Sequence, residues 1–124
     1  LAEREMTILF SDIRNFTRIS ESMTPRENFE FINSYLKIVA PYIVMNRGFI
    51  DKYIGDGIMA IFPETSFDAI DASIEMLEAL GRINRDRNLE GKENISIGIG
   101  IHTGSTIIGT VGALERMEGT VISD

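Results

Sequence analysis

The chain has 124 residues, the length of one ordinary domain, and a fold of that size buries about two thirds of the surface its unfolded chain exposes. With no cysteine and one histidine, His102, it cannot build a disulfide, a thiolate metal site or a histidine zinc site, which suits a reducing, cytoplasmic setting. A formal charge of −7 argues against a binder of nucleic-acid backbones, and no stretch is apolar enough to span a bilayer; an acidic domain of this kind, were it to handle a nucleotide, would have to supply positive charge locally, from metal ions and a few cationic side chains.

The first residues, Leu1-Ala2-Glu3-Arg4-Glu5, have no signal-peptide character, although an anchor elsewhere in a longer parent is compatible with them. Residues 5–12 read as a strand that ends on Asp12. The amides of residues 13–17 follow in a turn expected to open a helix, where free N–H groups can hold phosphate oxygens. A stronger helix signal begins at Thr24. This residue as N-cap, Pro25 at the first helical position and Glu27 three residues after the cap form a capping-box pattern. Phe29, Ile32, Leu36, Val39 and Ile43 recur at steps of three and four, which predicts one shared apolar face. Gly48 is the expected stop, and Pro41 should kink the last turns because it removes a hydrogen bond.

Residues 49–62 read as strand, Asp-Gly turn and strand, with Asp56 at the tip. Pro63 interrupts the pattern and a second helix is predicted over 67–87, with Ala72, Met76, Ala79 and Ile83 at helical spacing. A polar loop covers 88–94. Residues 95–103 alternate Ile with small residues and predict a half-buried strand whose glycines admit close packing on one face. A further strand is expected over 106–111, followed by a charged segment.

This order predicts an α+β fold with a ferredoxin-like βαββαβ core, an antiparallel sheet carrying helices on one face. In that topology the first strand neighbours the third, so Asp12 and Asp56 come together, and converging carboxylates are what Mg²⁺ or Mn²⁺ needs to hold a polyphosphate. Ordinary roles compete with this reading, since Asp caps helices and Asp-Gly makes hairpin turns. The glycine-rich run 98–104 is not a dinucleotide loop, because the third glycine of that motif would fall on Thr103. His102 reads as a packed or surface strand residue.

Four blocks occur in order: Phe10-Ser11-Asp12-Ile13-Arg14-Asn15-Phe16-Thr17, Lys52-Tyr53-Ile54-Gly55-Asp56-Gly57-Ile58-Met59-Ala60, Gly98-Ile99-Gly100-Ile101-His102-Thr103-Gly104, and Glu115-Arg116-Met117-Glu118-Gly119-Thr120-Val121-Ile122-Ser123-Asp124. Together they resemble the class III adenylate and guanylate cyclase catalytic domain, over essentially the whole chain. The resemblance implies conversion of a nucleoside triphosphate to a 3′,5′-cyclic monophosphate and pyrophosphate with two Mg²⁺ or Mn²⁺ ions per site. It implies that Asp12 and Asp56 bridge the metals, that the Ile13 carbonyl completes one coordination shell, and that the backbone at Phe16 and Thr17, with Gly55, contacts substrate. It further implies a homodimer in a parent protein with upstream sensor domains, in which Lys52 and Thr120 serve the purine of the partner's site. Lysine can donate to adenine N1 and the Thr hydroxyl can accept from the adenine amino group, so ATP is expected over GTP.

Asn15 and Ser123 stand where this family commonly has glycine, and Gly119 where it often has an aromatic residue. The Asn and Arg that stabilise its transition state, a later phosphate-binding Lys, and its last helix and strands would follow residue 124. The 124-residue chain by itself is therefore expected to be an inactive cyclase fragment. A non-catalytic nucleotide-binding or dimerisation module is the alternative from another class, and two carboxylates that repel without a metal speak against it. A diguanylate cyclase would carry Gly-Gly-Asp/Glu-Glu-Phe at the hairpin, where this chain has Ile54-Gly55-Asp56-Gly57-Ile58.

Overall fold

The computed structural model describes residues 2–108. Eight elements follow one another: β1 (Ala2–Ile13), α1 (Phe16–Ser20), α2 (Pro25–Val39), α3 (Pro41–Met45), β2 (Phe49–Ile54), β3 (Gly57–Phe62), α4 (Ser66–Leu89) and β4 (Ile97–Ile108). The strands form one antiparallel sheet in the order β2-β3-β1-β4, so the expected ferredoxin-like arrangement is the one observed.

Alternation along the strands sorts the side chains onto two faces. Leu9 and Ile13 of β1 and Ile58, Ala60 and Phe62 of β3 face the helices, where they meet Tyr35, Val39, Ile43, Ala72 and Met76 in the main core. Met6, Ile8, Met59 and Ile61, with Phe10 against them, form a smaller apolar cluster on the opposite face. Asp12 belongs by parity to that opposite face, at the end of the strand.

The local signals of α2 act as predicted. Thr24 Oγ1 accepts from the Glu27 N–H at 3.1 Å, and the Glu27 carboxylate accepts from the Thr24 N–H at 2.8 Å. The helical hydrogen bonding is interrupted at Ala40, where Pro41 has no N–H to donate, dividing the expected single helix into α2 and α3 although Ala40 keeps helical dihedrals. The segment ends at Met45, before the expected Gly48: Arg47 takes the left-handed conformation at φ 64 and the Gly48 N–H bonds back to the Ile43 carbonyl at 2.9 Å, while Gly48 is needed because a side chain there would run into the Phe62 ring.

Other expectations are corrected. Phe29 is 68% exposed, and the buried line is Tyr35, Val39 and Ile43, with Leu36 packed beside it. At 3.6 residues per turn, Phe29 lies roughly 100° round α2 from Tyr35 and Val39, so it overlooks an open groove instead of the sheet. The two strands expected over 95–103 and 106–111 are one strand, β4, whose pairing with β1 runs unbroken from Ile97↔Ile13 to Ile108↔Ala2. Continuous partnership with a twelve-residue β1, longer than the 5–12 expected, carries the ladder past the small residues at 104–106. Ile95 precedes the strand; it is buried, and the Asn84 side chain holds both its backbone groups, accepting from its N–H at 2.7 Å and donating to its carbonyl at 2.8 Å. Residues 109–111 lie outside the described residues.

Candidate active site at the end of the first strand

β1 and the β2–β3 hairpin bring the two aspartates together. The turn between β2 and β3 contains Gly55 at φ 61, a left-handed conformation suited to glycine, followed by Asp56. Because β3 pairs with β1, this turn lands on the last residues of β1, and the Ile13 N–H donates to Asp56 Oδ2 at 2.7 Å. Asp56 thus sits against the Asp12–Ile13 peptide, and both carboxylates are half-buried. Gly57 keeps the strands close, since a side chain there would press on the carbonyls of Ile54 and Ser11.

Beneath the pair lies Tyr35, a residue that sequence reasoning missed. It is 2% exposed, and neither its hydroxyl nor that of buried Ser11 has a hydrogen-bond partner of adequate geometry, although the two are neighbours. Burial, then the Asp56 charge and the Asp12 charge, push the Tyr35 phenol above its usual range and keep it neutral. Its four-residue spacing from Phe31 and Val39 was the available signal.

The donor set at this corner consists of two carboxylates and backbone carbonyls, including that of Ile13. These hard oxygens fit Mg²⁺ or Mn²⁺. Among the described residues no group of three or more His, Cys, Asp and Glu side chains gathers, so what these residues offer a cation here is the two carboxylates and nearby backbone oxygens.

The chain after Ile13 reverses through Arg14 and Asn15 into α1. Asn15 has φ 55 and ψ 33, and asparagine is among the few residues besides glycine that adopt this left-handed region readily. The departure from glycine at this position is therefore compatible with the turn. Phe16 stacks on Phe31 at 6.3 Å between centroids, and Thr17 is exposed in the first turn of α1.

Lys52 owes its direction to an irregularity. β2 pairs with β3 through Ile50↔Ala60 and then Lys52↔Met59, leaving Asp51 as a bulged extra residue. Without the bulge Lys52 would share the helix-covered face with Ile50. With it, Lys52 stands on the face of Met59, Phe10 and Asp12. Thr120, Gly119 and Ser123 lie outside the described residues.

The "Adenylate and Guanylate cyclase catalytic domain" family matches residues 2–118. The chain belongs to this family. An adenylate cyclase of Anabaena cylindrica is 48% identical to it over 126 residues, covering 98% of the chain and 25% of the relative. Among solved structures, the guanylyl cyclase Cya2 has a TM-score of 0.78 at 34% identity, covering 93% of this chain and 61% of that one. The adenylyl cyclase CyaB from P. aeruginosa has a TM-score of 0.80 at 27% identity, with coverage of 93% and 63%. This cyclase domain thus spans a quarter of the length of the Anabaena relative. No helix of its described residues is long and apolar enough to cross a membrane.

Proposed function

We propose that this domain converts ATP to 3′,5′-cyclic AMP and pyrophosphate in cyclic-nucleotide signalling. The ribose 3′-hydroxyl attacks the α-phosphorus in line with the leaving pyrophosphate. Two Mg²⁺ or Mn²⁺ ions, when bound, would help the hydroxyl ionise and neutralise phosphate charge. The chain's own part is to hold them through Asp12, Asp56 and the Ile13 carbonyl, and to keep the triphosphate against the backbone at Phe16 and Thr17 and near Gly55. Lys52 and Thr120 serve the adenine of the site in a partner copy, which makes the working unit a homodimer, set in a parent protein with sensor domains. Among these features, the hydrogen bond from the Ile13 amide to Asp56 carries the reading, because it puts the hairpin carboxylate against the strand end that bears Asp12.

GTP is the second reading, favoured by the likeness to Cya2. The parent protein, incubated with ATP or GTP and Mn²⁺, separates the two by product. Cyclic AMP as the main product supports the proposal; cyclic GMP from GTP alone reverses the choice of purine, and no cyclic nucleotide from either refutes it. Lys52→Glu should raise the GTP-to-ATP activity ratio, because a wrong base then leaves polar groups unpaired. An unchanged ratio would make Lys52 an ordinary surface lysine.

A further inference from the structure

Asp12 of β1 pairs directly with Gly98 of β4, so the two residues share the sheet face opposite the helices. A side chain at 98 has no room: Nη2, Cζ and Nε of Arg14 occupy the volume a Cβ would take. Two residues after Asp12, Arg14 continues the same ladder, its N–H bonded to the Ser96 carbonyl at 2.8 Å, and its guanidinium lies over Gly98 on the face that Asp12 shares. The next position on that face is Gly100, where a Cβ would meet only the Phe10 carbonyl, at 4.0 Å. The floor next to the guanidinium is therefore bare backbone. Among the described residues Arg14 makes no ion pair, unlike Arg4, Arg18, Arg26 and Arg47.

We propose that Arg14, laid flat on Gly98 beside Asp12, is a substrate-positioning residue that binds the terminal phosphates of the nucleoside triphosphate and the pyrophosphate that leaves. This rests on the cyclase reading above. A planar guanidinium offers paired N–H donors that match phosphate oxygens, keeps its charge at every working pH, and loses less freedom on binding when it is already held. The chain is acidic overall, and two metal ions at Asp12 and Asp56 leave charge on the outer phosphates that a neighbouring cation can neutralise. Gly98 is the second half of the device, since its missing side chain is what lets the guanidinium lie down.

The test uses the parent protein and four quantities: KM for ATP, kcat, the inhibition constant of pyrophosphate, and Mn²⁺ affinity without nucleotide. Arg14→Gln should raise both KM and the pyrophosphate constant about tenfold or more, with kcat and Mn²⁺ affinity much less affected. Gly98→Ala, which keeps the cation but drives it off its seat, should move the same two constants in the same direction, and Arg14→Lys should recover part of the loss. A pyrophosphate constant within about twofold of wild type in Arg14→Gln overturns the proposal. So does a rise in Mn²⁺ affinity as the sole effect, which would make Arg14 a counter-ion of Asp12. If the parent yields no cyclic nucleotide, the cyclase reading fails; calorimetry of Mn²⁺-pyrophosphate binding to wild type and Arg14→Gln still decides the role of Arg14.

Discussion

The Tyr35 hydroxyl is buried without a hydrogen-bond partner, an arrangement that usually costs about 1–3 kcal/mol for a polar group. Tyr35→Phe removes the orphan and keeps the ring, so the variant should be as stable as wild type or up to about 1 kcal/mol more stable, read as the urea midpoint. Wild type should also respond to base. Folding raises the Tyr35 pKa, so this group leaves stability unaffected below about pH 10 and lowers it as pH rises further, when the unfolded chain ionises first. The ultraviolet phenolate difference between wild type and Tyr35→Phe should therefore appear late, near the alkaline unfolding transition. An early phenolate signal at ordinary tyrosine pH would show that the hydroxyl reaches solvent.

Elements here are fastened by a few side chains that bond backbone. The α2 capping box depends on an ionised Glu27, whose backbone bond from Thr24 lowers its pKa from the ordinary 4.5. A depressed folded-state pKa makes this contribution fully present above 4.5 and lost as pH falls through the lower, folded value. An NMR titration of the Glu27 carboxyl should give a midpoint below 4.5, and Thr24→Ala should return it upward while costing about 1 kcal/mol. At the other end of the fold, Asn84 stands in for a neighbouring strand by bonding both backbone groups of Ile95. Asn84→Ala leaves those half-buried groups unpaired and should destabilise by about 2 kcal/mol in urea. Asn84→Asp keeps the acceptor for the Ile95 N–H but loses the donor, and should fall between the two. Equal midpoints for all three proteins would show that water replaces the clamp without loss.

At the scale of the molecule, the sheet order β2-β3-β1-β4 lets two carboxylates 44 positions apart in sequence act as one site. Metal binding should depend on both together, because either alone offers too few ligands for hard cations. Asp56→Asn is the cleaner variant: its amide oxygen can still accept from the Ile13 N–H, so the hairpin keeps its anchor while the charge is lost. Asp12→Asn and Asp56→Asn should each weaken Mn²⁺ binding at least tenfold or so in calorimetric titrations, with unchanged far-ultraviolet circular dichroism. Unchanged affinity in both would remove the metal assignment and leave Asp56 a turn residue.

Elements and their order could be read from the sequence because their signals are local. Thr24, Pro25 and Glu27 satisfy the first amides of α2 among themselves, the turn at Gly55 and Asp56 needs only its own residues, and the helical spacing of Ala72, Met76 and Ala79 was enough to orient α4. With connection rules, that order also brings β1 beside β3 and so Asp12 near Asp56. Tertiary contacts decided the rest. Which stripe of α2 is buried depended on the sheet and α4, which selected Tyr35 and Val39 and left Phe29 in the open. The length of β4 followed from its partner β1 across the sheet. Lys52 faces Asp12's side only because Asp51 is bulged, and a bulge is a mismatch between two strands that neither strand encodes alone. Arg14 reaches Gly98 for the same reason: 84 residues separate them, and pairing between β1 and β4 is what makes them neighbours.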